Sequence, residues 1–364
     1  MKILHLLYPG LGGHGNVFFT MCKADVTGIH QYEAVFAGIE PVRAEYAADC
    51  KTLGIPFTYV SKTPGKHAGY FKKILKILRR SDADIIFLHG SSMIAAAWAA
   101  CLMSKKKIVV RETQAIHLKS ANEQKALKIA MGLADAIVFL SEAYKMEIKE
   151  AFEQKFRSAK CHIIPNGIDL DYFKPDRKRK PLAEFVFSMQ SRIIKIKDHS
   201  TLIKAFKILC GRHPQKMLIL NIAGDGDQLE KLKVLTRKLN LENSINFTGI
   251  LPQSRLAAFL NNTDIYIHAS FGETMSTAIM QAMACGKPII ASDVEGINNM
   301  VKDNDTGLLV KVKHVEALAN TMENLMENTL LAKKISENAR GYAQEHFSKE
   351  RMFRSYNKLF TGIS

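Results

Sequence analysis

The chain reads as an α/β protein made of two doubly wound domains in tandem, and three observations predict this. Short apolar, β-prone runs alternate with helical periodicities along nearly its whole length. The alternation lapses once, at a segment with two prolines and a basic cluster, and then restarts. At 364 residues the chain also exceeds what one hydrophobic core serves, which makes two domains the default.

In the first half the strands are "KILHLLY", "EAVFAG", "FTYV", "DIIFLH", "KIVVRE", "AIVFLS" and "CHIIPN". Helical patterns fall between them at 14–27, 42–53, 66–80, 91–103, 120–132 and 141–155. Strands separated by helices imply βαβ units and a parallel sheet. Residues 170–184, "LDYFKPDRKRKPLAE", read as a linker. Beyond it come "EFVFSM", helix 198–211, "MLILNIAG", helix 227–239, "INFTGI", helix 253–261, "DIYIHAS", helix 275–285, "KPIIAS" and "GLLV". Residues 314–360 read as mostly helix. The expected domains are thus 1–169 and 185–344, with a final helix at about 345–364 packing back on the first domain.

Composition narrows the class. With 47% hydrophobic and 24% charged residues the chain is an ordinary globular one, and no apolar run reaches the ~20 residues that span a bilayer. "MKILHLLY" runs straight into glycines without a cleavage site, so it does not read as a signal peptide. Six scattered cysteines form no C-x-x-C pair, which suits a reducing cytoplasm and argues against a zinc ribbon. The net charge of +16 calls for an anionic partner. Nucleic acid is disfavoured, because there is a single Trp and no basic strand studded with aromatics.

Two stretches carry chemistry. "YPGLGGHGN" places Gly10, Gly12 and Gly15 in the G-x-G-x-x-G spacing of a dinucleotide loop, with Glu40 as a candidate ribose ligand. That opens an NAD-dependent oxidoreductase as an alternative. In "HASFGETMSTAIMQAMACGKPIIAS", a loop with Glu273 leads into a helix beginning near Ser276 and Thr277 and ending at Gly286 before Pro288. The free amides and positive dipole at such a helix start favour an anion at the carboxyl edge of a parallel sheet. Arg192 and Lys197, in "SRIIKIKDHS", lie in the loop after the first strand of that half and suit a diphosphate.

Taken with "IIPNGIDLDYF", "IAGDGDQLEKLK", "INFTGILPQSRLAAFLNNTDIYIHAS", "TGLLV" and the eight-residue spacing of Glu273 and Gln281, the chain resembles the retaining glycosyltransferases of family 4 over nearly its full length. The resemblance implies the GT-B fold, in which two Rossmann-like doubly wound domains face each other across a cleft. It implies a nucleotide-diphosphate sugar donor, UDP- or GDP-linked, bound mainly by the second domain. By the same resemblance Arg192 and Lys197 hold the diphosphate, Glu273 takes hydroxyls of the transferred sugar, the amides of Met275, Ser276 and Thr277 cap the phosphates, and Thr274 also binds the donor. Ile250 and Leu251 flank the nucleobase, while Gly12 and Gly13 touch the diphosphate from the first domain. Gln281 stands where the family usually has a second Glu that binds the ribose. Transfer is then retaining and needs no cofactor or metal, since the cations and helix dipole stabilise the leaving group. Four D-x-D matches (Asp82–Asp84, Asp169–Asp171, Asp225–Asp227 and Asp303–Asp305) are too many to mark a metal site.

The first domain is expected to bind a glycan or lipid-linked acceptor, with His14, Asn16, His89 and Glu112 as candidates. The family's histidine near this strand end has no certain counterpart: Arg111 and Glu112 occupy the region and His117 follows later. In "KHAGYFKKILKILRR", Phe71, Ile74, Leu75 and Leu78 form an apolar face opposite Lys72, Lys73, Lys76, Arg79 and Arg80. With "SKKKIVVR" and "DRKRK", this basic face suggests an anionic membrane surface. The expected role is cell-envelope polysaccharide synthesis in the cytoplasm or peripherally on the membrane's cytoplasmic face. A GT-B nucleotide-sugar epimerase is the other alternative.

Overall fold

The computed structural model describes residues 1–10, 13–63, 65, 67–176 and 183–363. They form two compact units: Met1–Gly167 with Lys349–Ser364, and Ile168–Ser348. In unit 1, β1 (Lys2–Leu7), β2 (Gln31–Gly38), β3 (Phe57–Ser61), β4 (Ile85–His89), β5 (Lys107–Arg111), β6 (Ala136–Phe139) and β7 (Cys161–Ile163) form one sheet. Their order is β3-β2-β1-β4-β5-β6-β7, and every neighbouring pair is parallel. The crossovers carry α1 (Gly13–Ala24), α2 (Ala44–Thr52), α3 (His67–Arg80), α4 (Ile94–Cys101), α5 (Ala121–Leu133) and α6 (Glu142–Ala151).

Helices cover both faces of the sheet, so inner strands such as β1, β4 and β6 are buried almost without alternation, while the edge strand β3 is largely exposed. Leu4, Leu6, Ile86 and Leu88 pack into one layer, and Ile3, Leu7 and Phe87 into the other. Local chemistry sets the helix starts. Ser120 and Glu123 form a reciprocal capping box at α5, and Ser141 accepts the Tyr144 amide at α6. The periodicity at 91–103 resolves into a 3-10 turn, Ser91–Met93, followed by α4.

Unit 2 repeats the plan. Its strands are β8 (Phe185–Gln190), β9 (Leu218–Ala223), β10 (Ile245–Gly249), β11 (Ile265–His268), β12 (Ile289–Ser292) and β13 (Leu308–Val310), in the order β10-β9-β8-β11-β12-β13. Its helices begin with α7 (His199–Arg212), α8 (Leu229–Lys238), α9 (Gln253–Asn261) and α10 (Thr277–Ala284). They continue with α11 (Val315–Glu327) and α12 (Thr329–His346). The side on which successive strands are added reverses at one place in each sheet, between β1 and β4 in unit 1 and between β8 and β11 in unit 2. In open α/β sheets ligands bind outside the carboxyl ends of the strands at such points.

The units part at Gly167 and Ile168, not within 170–184. The start of the segment read as a linker is anchored in unit 2: Phe173 is buried, and Arg340 Nη1 donates to its carbonyl at 3.0 Å and to that of Ala284 at 2.6 Å. The basic cluster at 177–182 lies outside the described residues. At the other end, residues 345 and 346 complete α12, and the last helix, α13 (Lys349–Ile363), belongs to unit 1. Met352, Phe353, Tyr356, Leu359 and Phe360 of α13 bury against the layer of Ile3, Phe18 and Phe87. Each large side chain removed from water there contributes roughly 1.5–3 kcal/mol.

Candidate active site

At the reversal point of unit 2, the loop after β8 carries Arg192 and Lys197. Two devices hold it. Gly224, just after β9, has φ +143°, and a Cβ there would lie 1.8 Å from the Ser191 carbonyl oxygen, so only glycine lets the two loops meet. The contact is sealed by Ile193 N–H donating to Asp225 O at 2.8 Å. Buried His199 supplies the second tie. Its Nδ1–H donates to the Lys197 carbonyl at 3.1 Å, and Nε2 lies 3.1 Å from the Ser191 hydroxyl. Burial lowers its pKa to about 4, so the ring stays neutral and Nε2 can accept.

Lys197 Nζ and His268 Nε2, at 2.9 Å, both meet Glu273 Oε1. The three side chains are nearly enclosed, with 9, 1 and 18% of Lys197, His268 and Glu273 exposed. Burial pushes the Glu273 carboxyl up, but the Lys197 charge and the bond from His268 outweigh it and hold the pKa at about 2. Burial lowers the His268 pKa, so the ring is neutral and its Nε2–H donates a hydrogen bond to the carboxylate. Tyr266 OH lies 3.3 Å from its other nitrogen. Gly296, at φ +81°, lets the following loop close on Glu273: a Cβ there would sit 2.0 Å from the Glu273 carbonyl oxygen. His268, His199, Gly224 and Gly296 went unassigned in the sequence, since their roles depend on contacts between separate loops.

The other expected donor residues are spread more widely. Arg192 is exposed on the same loop as Lys197. Thr274 and Ser276 are buried, while Met275 and Thr277 are half-buried at the start of α10. The Ser276 hydroxyl caps that helix by accepting from Ile279 N–H. Its amide, expected to face a phosphate, instead meets Met300 Sδ at 3.3 Å because that residue packs under the helix start. Gln281 is buried, and its Oε1 accepts from Gln190 Nε2 at 3.3 Å. Ile250 is 45% exposed after β10.

Unit 1 holds a cavity of about 290 Å³ at its own reversal point, lined by residues from the ends of β1, β4 and β5. His14, His89 and Glu112 all line it, whereas Asn16 on α1 is half-buried and does not. His14 Nε2 lies 3.1 Å from Thr113 Oγ1, and His89 Nε2 lies 3.1 Å from Nδ1 of buried His5. Lys119, which the sequence left unassigned, donates to Glu112 Oε1 at 2.6 Å. Gly13 opens α1, is exposed, and would find nothing within 4 Å of an added Cβ. Gly12 lies outside the described residues.

Two family models match in sequence order, Glycosyltransferase Family 4 over 11–172 and Glycosyl transferases group 1 over 173–342. The chain belongs to glycosyltransferase family 4. Among its relatives, N-acetyl-alpha-D-glucosaminyl L-malate synthase of Bacillus anthracis is 23% identical over 100% of this chain and 97% of its own. The UDP-Gal:alpha-D-GlcNAc-diphosphoundecaprenol alpha-1,3-galactosyltransferase of Escherichia coli is 25% identical over 71 and 70%. Anabaena HepE, solved with UDP-glucose, superposes with a TM-score of 0.84 at 21% identity over 100% of both chains. The fold of this glycosyltransferase is accordingly GT-B, with two Rossmann-like domains.

Family membership disfavours the oxidoreductase reading. Glu40, its candidate ribose ligand, accepts the Tyr8 hydroxyl at 2.6 Å. The D-x-D pairs of this transferase also have structural partners: Asp169 accepts the Asp171 and Tyr172 amides, Asp84 the Lys2 amide, and Asp303 the Leu309 amide.

Proposed function

We propose that this transferase is retaining and metal-independent, moving a hexosyl or N-acetylhexosaminyl group from a UDP- or GDP-linked donor. Unit 2 takes the donor and unit 1 a glycan or lipid-linked acceptor, in the synthesis of cell-envelope polysaccharide. The observation that carries this reading is the Lys197–Glu273–His268 group beside Arg192 at the reversal point of unit 2. As the bond from the sugar's anomeric carbon to the phosphate oxygen breaks, negative charge collects on the diphosphate. Arg192, Lys197 and the start of α10 stabilise it, a role a metal fills elsewhere. Glu273, ionised at any physiological pH, accepts sugar hydroxyls and favours the positive charge developing on the ring. The acceptor oxygen bonds to that carbon from the departing side, and its proton passes to the leaving diphosphate. A structural neighbour bound to UDP-glucose supports a UDP donor. A relative named for a diphosphoundecaprenol substrate supports a lipid-linked acceptor.

Slow hydrolysis of a panel of UDP- and GDP-sugars, followed by NMR before mutarotation, tests the chemistry. The first-formed sugar is expected to keep the donor's anomeric configuration, at a rate unchanged by EDTA. An inverted product, or activity lost to EDTA and restored by Mg²⁺ or Mn²⁺, would refute the reading.

The same proposal places the protein at the cytoplasmic face of an anionic membrane. Among the described residues no helix is long and apolar enough to cross a membrane. On α3, however, Lys72, Lys73, Lys76, Arg79 and Arg80 are all exposed. Arg79 Nη2 donates to Ala99 O at 3.3 Å, which joins this face to α4 and the exposed Trp98, Leu102 and Met103. Each cation at an anionic surface is worth about 1 kcal/mol. Reversing Lys72, Lys73 and Lys76 to Glu is therefore expected to weaken sedimentation with phosphatidylglycerol vesicles at least a hundredfold. Equal sedimentation of variant and wild type would remove the membrane assignment.

A further inference from the structure

The unit 1 cavity supports an inference about the acceptor that rests on the transferase reading. At about 290 Å³ it sits at the lower end of ligand pockets, ~300–1,000 Å³, a size for one ring and not an extended chain. Its electrostatics run against those of the whole protein. The chain carries a net +16, yet among the described residues the charged side chains lining this cavity are two carboxylates, Glu112 and Glu123, and one ammonium, Lys119.

That ammonium is already engaged. Lys119 Nζ donates to Glu112 Oε1 at 2.6 Å, with 3 and 2% of the two side chains exposed, and the Thr113 amide donates to the same oxygen at 3.2 Å. Glu112 Oε2 is equally buried and has no hydrogen-bond partner among the described residues. Leaving such an oxygen unmet is costly, more so when it is charged, so the site is completed by a donor arriving with a ligand. Nδ1 of His14 and Nδ1 of His89 are also buried and without partners. Burial, with Arg111 and Lys119 nearby, holds the His14 pKa at about 3, and burial likewise keeps His89 neutral. The open groups are therefore a carboxylate oxygen and two neutral imidazole nitrogens. A hydroxyl satisfies such groups, while the one ammonium among the described lining residues, Lys119, is already paired with Glu112 and leaves an anion no cation there.

We propose that Glu112 Oε2 receives a hydroxyl proton of an uncharged sugar ring, so that this pocket admits the neutral glycosyl end of an acceptor and excludes a carboxylate or phosphate. Glu112 is then a specificity-determining residue and Lys119 the group that positions it.

Saturation-transfer NMR on the full chain, with and without UDP, tests this using methyl α-glucoside, methyl α-galactoside and methyl α-N-acetylglucosaminide against L-malate and inositol 1-phosphate. At least one glycoside is expected to bind and neither acid to compete with it. Glu112→Gln is expected to weaken that glycoside about tenfold with the Kd for UDP unchanged. Ser92→Trp, at an exposed position on the cavity lining, is expected to abolish glycoside binding without disturbing the fold or UDP binding. Binding of an acid in place of the glycosides overturns the proposal, as does failure of every glycoside. So does unaltered glycoside affinity in both variants. Glycoside binding in a protein that does not bind UDP would instead overturn the donor reading and leave the preference for an uncharged sugar standing.

Discussion

Replacing Lys197 or Glu273 by alanine is expected to lower sugar transfer roughly a hundred- to a thousand-fold, the usual effect of deleting one preorganised charge-stabilising group. The two losses have different origins. Without Lys197, the diphosphate loses its enclosed cation and Glu273 keeps only the bond from His268, so burial raises its carboxyl. Without Glu273, an enclosed ammonium is left without its counter-charge, which destabilises unit 2 as well as the transition state. Arg192→Ala is expected to cost less, about tenfold, because the exposed guanidinium works in water-screened surroundings. Initial rates of nucleotide release, measured beside urea unfolding curves, separate chemistry from folding. Turnover within threefold of wild type in both Lys197→Ala and Glu273→Ala would sink the assignment of this site.

Gly224→Ala is expected to destabilise unit 2 by about 2–4 kcal/mol, because the new methyl meets the Ser191 carbonyl and the backbone occupies glycine territory. Neither neighbour is a flexible side chain, so the β8 loop must shift, and Arg192 and Lys197 shift with it. Gly211→Ala is the matched control. It lies within α7 with nothing within 4 Å of its new methyl, and is expected to stabilise by about 0.5–1 kcal/mol. Urea midpoints measure both. A Gly224→Ala protein within about 0.5 kcal/mol of wild type would contradict the loop contact.

What could be read in advance was governed by how local each signal is. Strands such as Ile85–His89 are apolar on both faces, so their identity is written in five consecutive residues. Lys197 and Glu273 stood out because each is a charge in the loop immediately after an apolar strand. The partner that completes them, His268, ends the strand itself, where nothing in the neighbouring residues distinguishes it from a core histidine. Lys119 and Glu112 lie seven residues apart across a turn, a spacing that announces no pairing. The segment 170–184 misled for the opposite reason. Pro175 and the basic run after it suggested a solvated link, while Phe173 just before them is buried in unit 2. The Ser276 amide was expected to face a ligand because a helix start offers free donors, but nothing local placed Met300 beneath it.

The return of α13 to unit 1 bears on the order in which the protein matures. Unit 2 is one uninterrupted stretch, complete once Ser348 has been made. Unit 1, although begun first, lacks the helix that covers Ile3, Phe18 and Phe87 until Lys349–Ile363 has been made, after the whole of unit 2. The usual amino-to-carboxyl sequence of domain completion during synthesis is therefore inverted. While unit 2 is being made the nascent chain carries an apolar layer that α13 has yet to cover, which makes unit 1 the half of the enzyme most in need of chaperone protection and most sensitive to loss of that helix.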